Sequence, residues 1–256
     1  MAIRPFILGE TNWKHLKEEK VELAVLPWGA TEAHNYHLPY ATDNIEADSI
    51  GAESVRIAWE GGAKVVLLPC IPFGVNTGQS DIYLDINLNP STQLCILRDV
   101  ITVLNRQGVH KLLILNSHGG NDFKTMLREL GLEFPRMFLA TCNWFQAMER
   151  STYFEKDGDH AEEMETSLLL YLRPDLVLPR EDWGLGKERK HKIAEFSKSW
   201  LWTERKWSSV SWDTGIGDPA LASADKGTRF FRDVTQKIAG VLMQLCDMDV
   251  NDMYAE

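Results

Sequence analysis

Between Pro27 and Asp43 a run of Val, Leu and Ala gives way to Glu32-Ala33-His34, then His37, then Asp43. Imidazole and carboxylate together suit Zn, Mn or Fe, and these residues stand just past an apolar strand, where α/β folds build their sites. In a helix Glu32 and His34 would diverge. In an extended segment residues i and i+2 share one side, so both can face one ion. Asp43 comes after the turn residues Asn35, Pro39 and Thr42, and it can fold back as a third ligand or as a bridge between two ions. Taken alone, a Glu-x-His pair is a weak signal whose ordinary reading is a surface pair.

A second cluster, Asn116-Ser117-His118-Gly119-Gly120-Asn121, directly follows another strand. It reads either as a tight strand-to-helix turn with an incidental His118, or as a ligand beside backbone that must approach a metal or substrate closely. Both clusters open at the same carboxyl edge of a parallel sheet, which favours the second reading. The third cluster runs Asp159-His160-Ala161-Glu162-Glu163-Met164-Glu165-Thr166 and opens a helix. On the helical wheel Glu165 falls among Ala161, Met164, Leu168, Leu169 and Leu172. A carboxylate in an apolar stripe is costly unless an ion, Arg or Lys meets it. Glu162 and Glu163 suit a helix N-terminus through the dipole. His15, His110 and His191 read as surface residues, and His37 as either an orienting partner of a ligand or a turn residue. No phosphate-cradling glycine loop and no G-x-S-x-G elbow occurs, so a serine or cysteine nucleophile is unsupported.

These clusters need a scaffold. Strand-like runs at residues 21–26, 64–68, 111–115 and 137–141 alternate with helix-like segments, the pattern of parallel βαβ units. Helices are expected over residues 45–60 behind Asn44, 91–107 behind Asn89-Pro90, and about 122–130. A fourth is expected from Asp159, which can cap it with Glu162 three residues on, to about Leu172. The last covers residues 228–248, with Phe231, Val234, Ile238, Val241, Leu242 and Leu245 on one stripe. Between Leu178 and Gly227 the periodicity loosens, with Trp183, Trp200, Trp202, Trp207 and Trp212 scattered among charges. That segment folds over its own domain, or it forms a subunit interface or an active-site wall. No repeat or linker interrupts residues 1–256, so one domain is expected.

Composition narrows the partners. The 27 basic and 37 acidic side chains leave a net charge of -10, which repels phosphate backbones and anionic lipid, so neither nucleic acid nor membrane is expected. The apolar runs fall far short of the roughly 20 residues of a membrane span, and no signal peptide is evident near Met1. Cys70, Cys95, Cys142 and Cys246 have no short spacing and read as buried, reduced structural residues of a cytoplasmic protein.

The three clusters resemble the creatininase (creatinine amidohydrolase) family. The matching pieces are Pro27-Trp28-Gly29-Ala30-Thr31-Glu32-Ala33-His34, His37-Leu38-Pro39 with Thr42-Asp43, the Asn116–Asn121 loop, and His160 through Glu165-Thr166-Ser167, with a weaker echo at Gly217-Asp218-Pro219, Ala222 and Gly227. The resemblance implies a three-layer α/β fold with a mainly parallel central sheet flanked by helices, and commonly a homohexamer. It also implies two divalent ions per subunit (Zn, Mn or Fe) that cleave a non-peptide or cyclic C–N amide bond of a small-molecule substrate. Glu32 and His118 would hold one ion, His34 the other, and Asp43 would bridge them. Where the creatinine-cleaving enzyme has Tyr and Glu after its metal-binding histidine, this chain has Gly119 and Gly120, and Glu165 is expected to replace the missing ligand. Lys156 stands where that enzyme has Trp, and Asn35 where Gly is usual. The His-Gly-Gly-Asn loop is nearer to branches that include a formamide hydrolase and a peptidase trimming a cofactor precursor. His160, on the first turn of its helix and so lowered in pKa, would protonate the leaving nitrogen, with Glu163 as a second acid–base group. The rival from another class is a catalytically silent binding or assembly protein that keeps the metal for stability.

Overall fold

The computed structural model describes residues 4–198 and 200–255. Its centre is a four-stranded sheet of β1 (Leu23–Trp28), β2 (Val65–Leu67), β3 (Lys111–Asn116) and β4 (Phe138–Asn143), ordered β2-β1-β3-β4 and parallel throughout. All six residues of β1 are buried, as expected of a parallel strand covered on both faces. One face packs against α2 (Thr42–Glu60), α5 (Glu163–Leu172) and α7 (Ala224–Asp247) through Val25, Ile50, Leu115, Leu168 and Phe230. The other packs against α3 (Pro90–Arg106) and α4 (Phe123–Glu133) through Leu26, Ile114, Leu97, Ile101 and Met126. Three layers result. Short helices α1 (Trp13–Leu16) and α6 (Trp207–Val210) and a two-stranded antiparallel ribbon, β5 (Gly158–His160) with β6 (Ile216–Gly217), complete the frame.

From β1 the chain passes to β2 on one side, and it later returns to β3 on the other. The loops that leave β1 and β3 therefore part at the carboxyl edge, the switch point where parallel sheets bind ligands. Among the described residues, no helix is long and apolar enough to cross a membrane.

Several boundaries differ from expectation. Helix α2 begins at Thr42, ahead of Asn44, and places Asp43 in its first turn without a side-chain cap. Helix α4 runs through Gly131 to Glu133. Helix α7 begins at Ala224 under a Ser223 cap and holds Gly227 inside it, because a Cβ there would collide with the Ser167 carbonyl of α5. On its stripe Val241 is exposed, while Phe231, Val234, Ile238 and Leu242 are buried. The four cysteines are free thiols, but Cys95 is exposed on α3 and not buried as expected.

Candidate metal centre

Beyond Trp28 the chain runs on from β1 to Glu32 and His34, and β3 ends two residues before His118. The imidazole Nδ1 of His118 lies 2.8 Å from Glu32 Oε1 and 3.0 Å from Asp43 Oδ2. His34 Nε2 lies 3.0 Å from Asp43 Oδ1 and 4.0 Å from Glu165 Oε2. Asp43 thus spans the two histidines with one oxygen each. His160 joins from β5, its Nδ1 3.9 Å from Glu32 Oε1 and its ring 4.1 Å from that of His34. Glu32, His34, Asp43, His118 and His160 are all buried, and Glu165 nearly so.

Each histidine turns its other nitrogen to a backbone carbonyl. His34 Nδ1 meets Glu32 O at 3.1 Å, His118 Nε2 meets Val75 O at 3.0 Å, and His160 Nε2 meets Ala33 O at 2.8 Å. A carbonyl only accepts, so the proton of each neutral ring is held on that nitrogen and a lone pair faces inward. Carboxylate oxygens share the space, and among the described residues the buried Asp43 Oδ2, though 3.0 Å from His118 Nδ1, receives no hydrogen bond of good geometry. So many converging acceptors call for a cation. Three sets of donor atoms, from Glu32, Asp43 and His118, from His34, Asp43 and Glu165, and from Glu32, His34 and His160, each lie within 4.8 Å of one another. Mixed imidazole and carboxylate donors at this spacing fit a divalent ion of borderline hardness.

Protons can meet the same demand, and the electrostatics register it. Burial opposes charge on His34, yet Asp43 outweighs it and pushes the pKa up to about 10. Against burial, Glu32 and Asp43 likewise raise His118 well above its ordinary value. In turn, and again against burial, His118 and His160 hold Glu32 low, and His34 and His118 hold Asp43 low. Burial first, then the neighbouring His34, lowers His160. The expected helix terminus plays no part in this. His160 closes β5 opposite Ile216, because strand pairing takes Gly158–His160 out of the helix and Ala161 follows at φ 52°.

The cap of helix α5 consequently lies three residues later than the expected Asp159. Glu162 caps it instead, accepting from Met164 N at 2.6 Å. The three glutamates there have separate fates. Glu162 lies 2.6 Å from the Arg150 guanidinium. Glu163 pairs with Lys226 and accepts from the backbone N–H groups of Glu155 and Lys156 at 3.0 and 2.8 Å, so it does not join the histidine cluster. Glu165 does, and burial pushes its pKa up to about 8 against the pull of His34.

Other residues escaped sequence reasoning. Glu46, one turn after Asp43 on α2, is fully buried, with neither oxygen hydrogen-bonded among the described residues, and burial beside Glu165 and Asp43 raises its pKa well above the ordinary range. The three-residue spacing from Asp43 was its only sequence signal. Gln79 donates to Glu32, and Asp85 accepts from Ala33 N at 2.7 Å, both from a loop without periodicity. Asn116 and Asn121 bond each other and brace the His118 loop. Gly120 is obligatory there, since a Cβ would strike Val75 O and the His118 ring, whereas at Gly119 it would meet open space. His37 lies outside the cluster, bonded to Thr166 Oγ1 at 2.9 Å and stacked on Trp183. His15 and His191 are exposed and His110 is half-buried.

A cleft of about 780 Å³ opens over the cluster, lined by Glu32, His118, Gly119, His160, Trp202 and Trp207 among others. The Trp-rich segment therefore supplies a wall of the site. Trp200, Trp202 and Trp212 remain largely exposed.

Residues 9–242 match the creatininase (creatinine amidohydrolase) family. A mycofactocin precursor peptide peptidase of Mycobacterium ulcerans (strain Agy99) is 26% identical over 222 residues, covering 82% of this chain and 80% of that protein. A provisionally assigned creatinine amidohydrolase of Bacteroides fragilis NCTC 9343 has a crystal structure that superposes with a TM-score of 0.91 at 37% identity, covering 98% of this chain and 99% of that one. A creatininase solved with manganese shares the fold alone, with a TM-score of 0.72 at 22% identity over 93% of this chain and 98% of that one. With Glu32, His34 and His118 in the loops that leave two parallel strands and a family match across nearly its whole length, the chain belongs to the creatininase family of hydrolases.

Proposed function

We propose that this protein, as a single domain over residues 1–256, is a metal-dependent amidohydrolase that cleaves a non-peptide or cyclic C–N amide bond. The observation that carries the reading is the inward convergence of three carbonyl-anchored histidines on Glu32, Asp43 and Glu165. Glu32, Asp43 and His118 would hold one divalent ion, and His34, Asp43 and Glu165 a second. Zn, Mn or Fe suits these donors, in keeping with the manganese of the solved creatininase. When bound, such a pair supplies Lewis-acid polarisation of the amide carbonyl and water acidified toward neutral pKa. His160, its Nε2–H held by the Ala33 carbonyl, would use Nδ1 to accept a proton from the attacking water and deliver it to the leaving nitrogen. Glu163, bound to Lys226, has no part in this step.

The open space at Gly119 and the breadth of the cleft favour a second reading, a formamide or peptide bond in a longer substrate. The named relative that is a peptidase supports it. The cytoplasm and a homohexamer, with the exposed Trp200, Trp202 and Trp212 at subunit contacts, belong to the same proposal. A screen of creatinine, other cyclic amides, formamides and short peptides, run on as-purified and metal-reconstituted protein, tests the chemistry. Turnover of none, with both ions bound, would favour the silent metal-stabilised binding protein. Sizing in solution tests the assembly, and a clean monomer rejects it.

A further inference from the structure

Thr214 lies at φ 65°, a left-handed conformation that β-branched residues almost never adopt. Such strain persists only where surrounding contacts over-determine it. Here the turned backbone presents the Thr214 carbonyl to Trp207 Nε1–H at 2.7 Å, while the hydroxyl donates to Ala33 O at 3.2 Å. Ala33 O is the carbonyl that accepts His160 Nε2–H at 2.8 Å. Trp207 closes the ring of contacts, standing edge-on to the His160 imidazole with centroids 5.3 Å apart. Arg205 lies over the Trp207 indole at 4.4 Å and reaches Asp159, the neighbour of His160, at 2.7 Å.

We propose that Thr214, together with Trp207, is a positioning residue that holds the Ala33 carbonyl and the plane of His160, so that the imidazole keeps its proton on Nε2 and aims its Nδ1 lone pair at the Glu32 side of the cleft. The inference rests on the reading of His160 as the proton carrier. It explains why a strained threonine, more than 50 residues away in the chain, bonds the same carbonyl as this histidine.

The test uses zinc-loaded, full-length protein with ¹⁵N-labelled histidine rings, whose paired nitrogen shifts report the tautomer directly. The His160 signals are assigned by their loss in His160→Gln. Wild-type protein is expected to show His160 as the Nε2–H form. Thr214→Val removes the hydroxyl and keeps the branching; by letting the Ala33 carbonyl turn away from His160 Nε2–H, it should lower the ratio of Nε2–H to Nδ1–H by about tenfold, the worth of the one net hydrogen bond His160 then loses. Thr214→Ser should restore the wild-type spectrum. Thr214→Gly should shift the tautomer as Val does while raising the melting temperature or leaving it alone, a separation that a merely structural role would not give. Trp207→Phe is the second variant and should move the ratio in the same direction. An unmoved tautomer in both Thr214→Val and Trp207→Phe, or a serine variant as altered as the valine one, overturns the proposal. No substrate enters this experiment, so its failure leaves the hydrolase reading standing. Equally, an unimpaired His160→Ala enzyme would remove the proton-carrier role without touching the tautomer result.

Discussion

The two halves of the cluster are built on different principles. Glu32, His34 and His118 lie in the loops just past the ends of β1 and β3, paired neighbours in the middle of a buried sheet, so strand register brings the two loops side by side. His160 and Glu165 come instead from a two-stranded ribbon and the helix after it, joined through the left-handed Ala161. In the first half residue type decides the role. In the second it does not, since Glu162, Glu163 and Glu165 are one residue type within four positions and meet Arg150, Lys226 and His34 in turn. What a buried carboxylate does is determined by the positive charge that the fold brings to it.

The largest expected effect lies in the strand-end half. Glu32→Ala or His118→Ala should abolish both bound metal and turnover, and metal analysis showing full stoichiometry in either variant would break the assignment. Glu165→Ala should cost only part of the metal, which sharpens the contrast between the halves. Next in size, His160→Ala is expected to keep its metal and lose about 100-fold or more in kcat. Unchanged turnover would take it out of the chemistry.

Glu163→Ala should behave in the opposite way to Glu165→Ala. Breaking its buried pair with Lys226 should cost about 3 kcal/mol of stability, read by denaturant unfolding, with metal content and kcat held. Loss of metal in this variant would erase the distinction between the two glutamates.

The smallest effect is the pH slope. In metal-free protein His34, with its pKa at about 10 against 6.5 ordinarily, contributes stability that is whole below 6.5 and is lost as pH rises toward 10. Glu165, pushed from 4.5 up to about 8, works in the same direction, because its ionisation is resisted in the folded state. Metal binding has the reverse slope, since the histidines must give up their protons to bind an ion. Melting of stripped protein should therefore fall between pH 6.5 and 9, while the gap to the metal-loaded form widens. A gap that narrows over that range would count against metal binding through these histidines.

Much of the strand-end half was legible in the sequence. Apolar runs ending in Glu-x-His and Asn-Ser-His-Gly-Gly-Asn mark parallel strands and the edge where their side chains emerge, because strand periodicity and turn residues are local signals. Glu165 was legible for a related reason: its place in an apolar stripe is also a local pattern. The start of α5 was not, because Asp159 looks like a cap until the pairing of its neighbours Gly158 and His160 with Gly217 and Ile216, more than 50 residues on, pulls it into a strand.

Sequence alone determined the parallel α/β frame, the family and the residue types able to bind an ion, since these depend on contacts within a few positions. Only the tertiary structure decided which glutamate meets Lys226 and which meets His34, that Glu46 is buried beside Asp43 and Glu165, and which nitrogen of each histidine faces inward. Those outcomes depend on charges and carbonyls supplied by distant segments, and no local spacing encodes where they arrive.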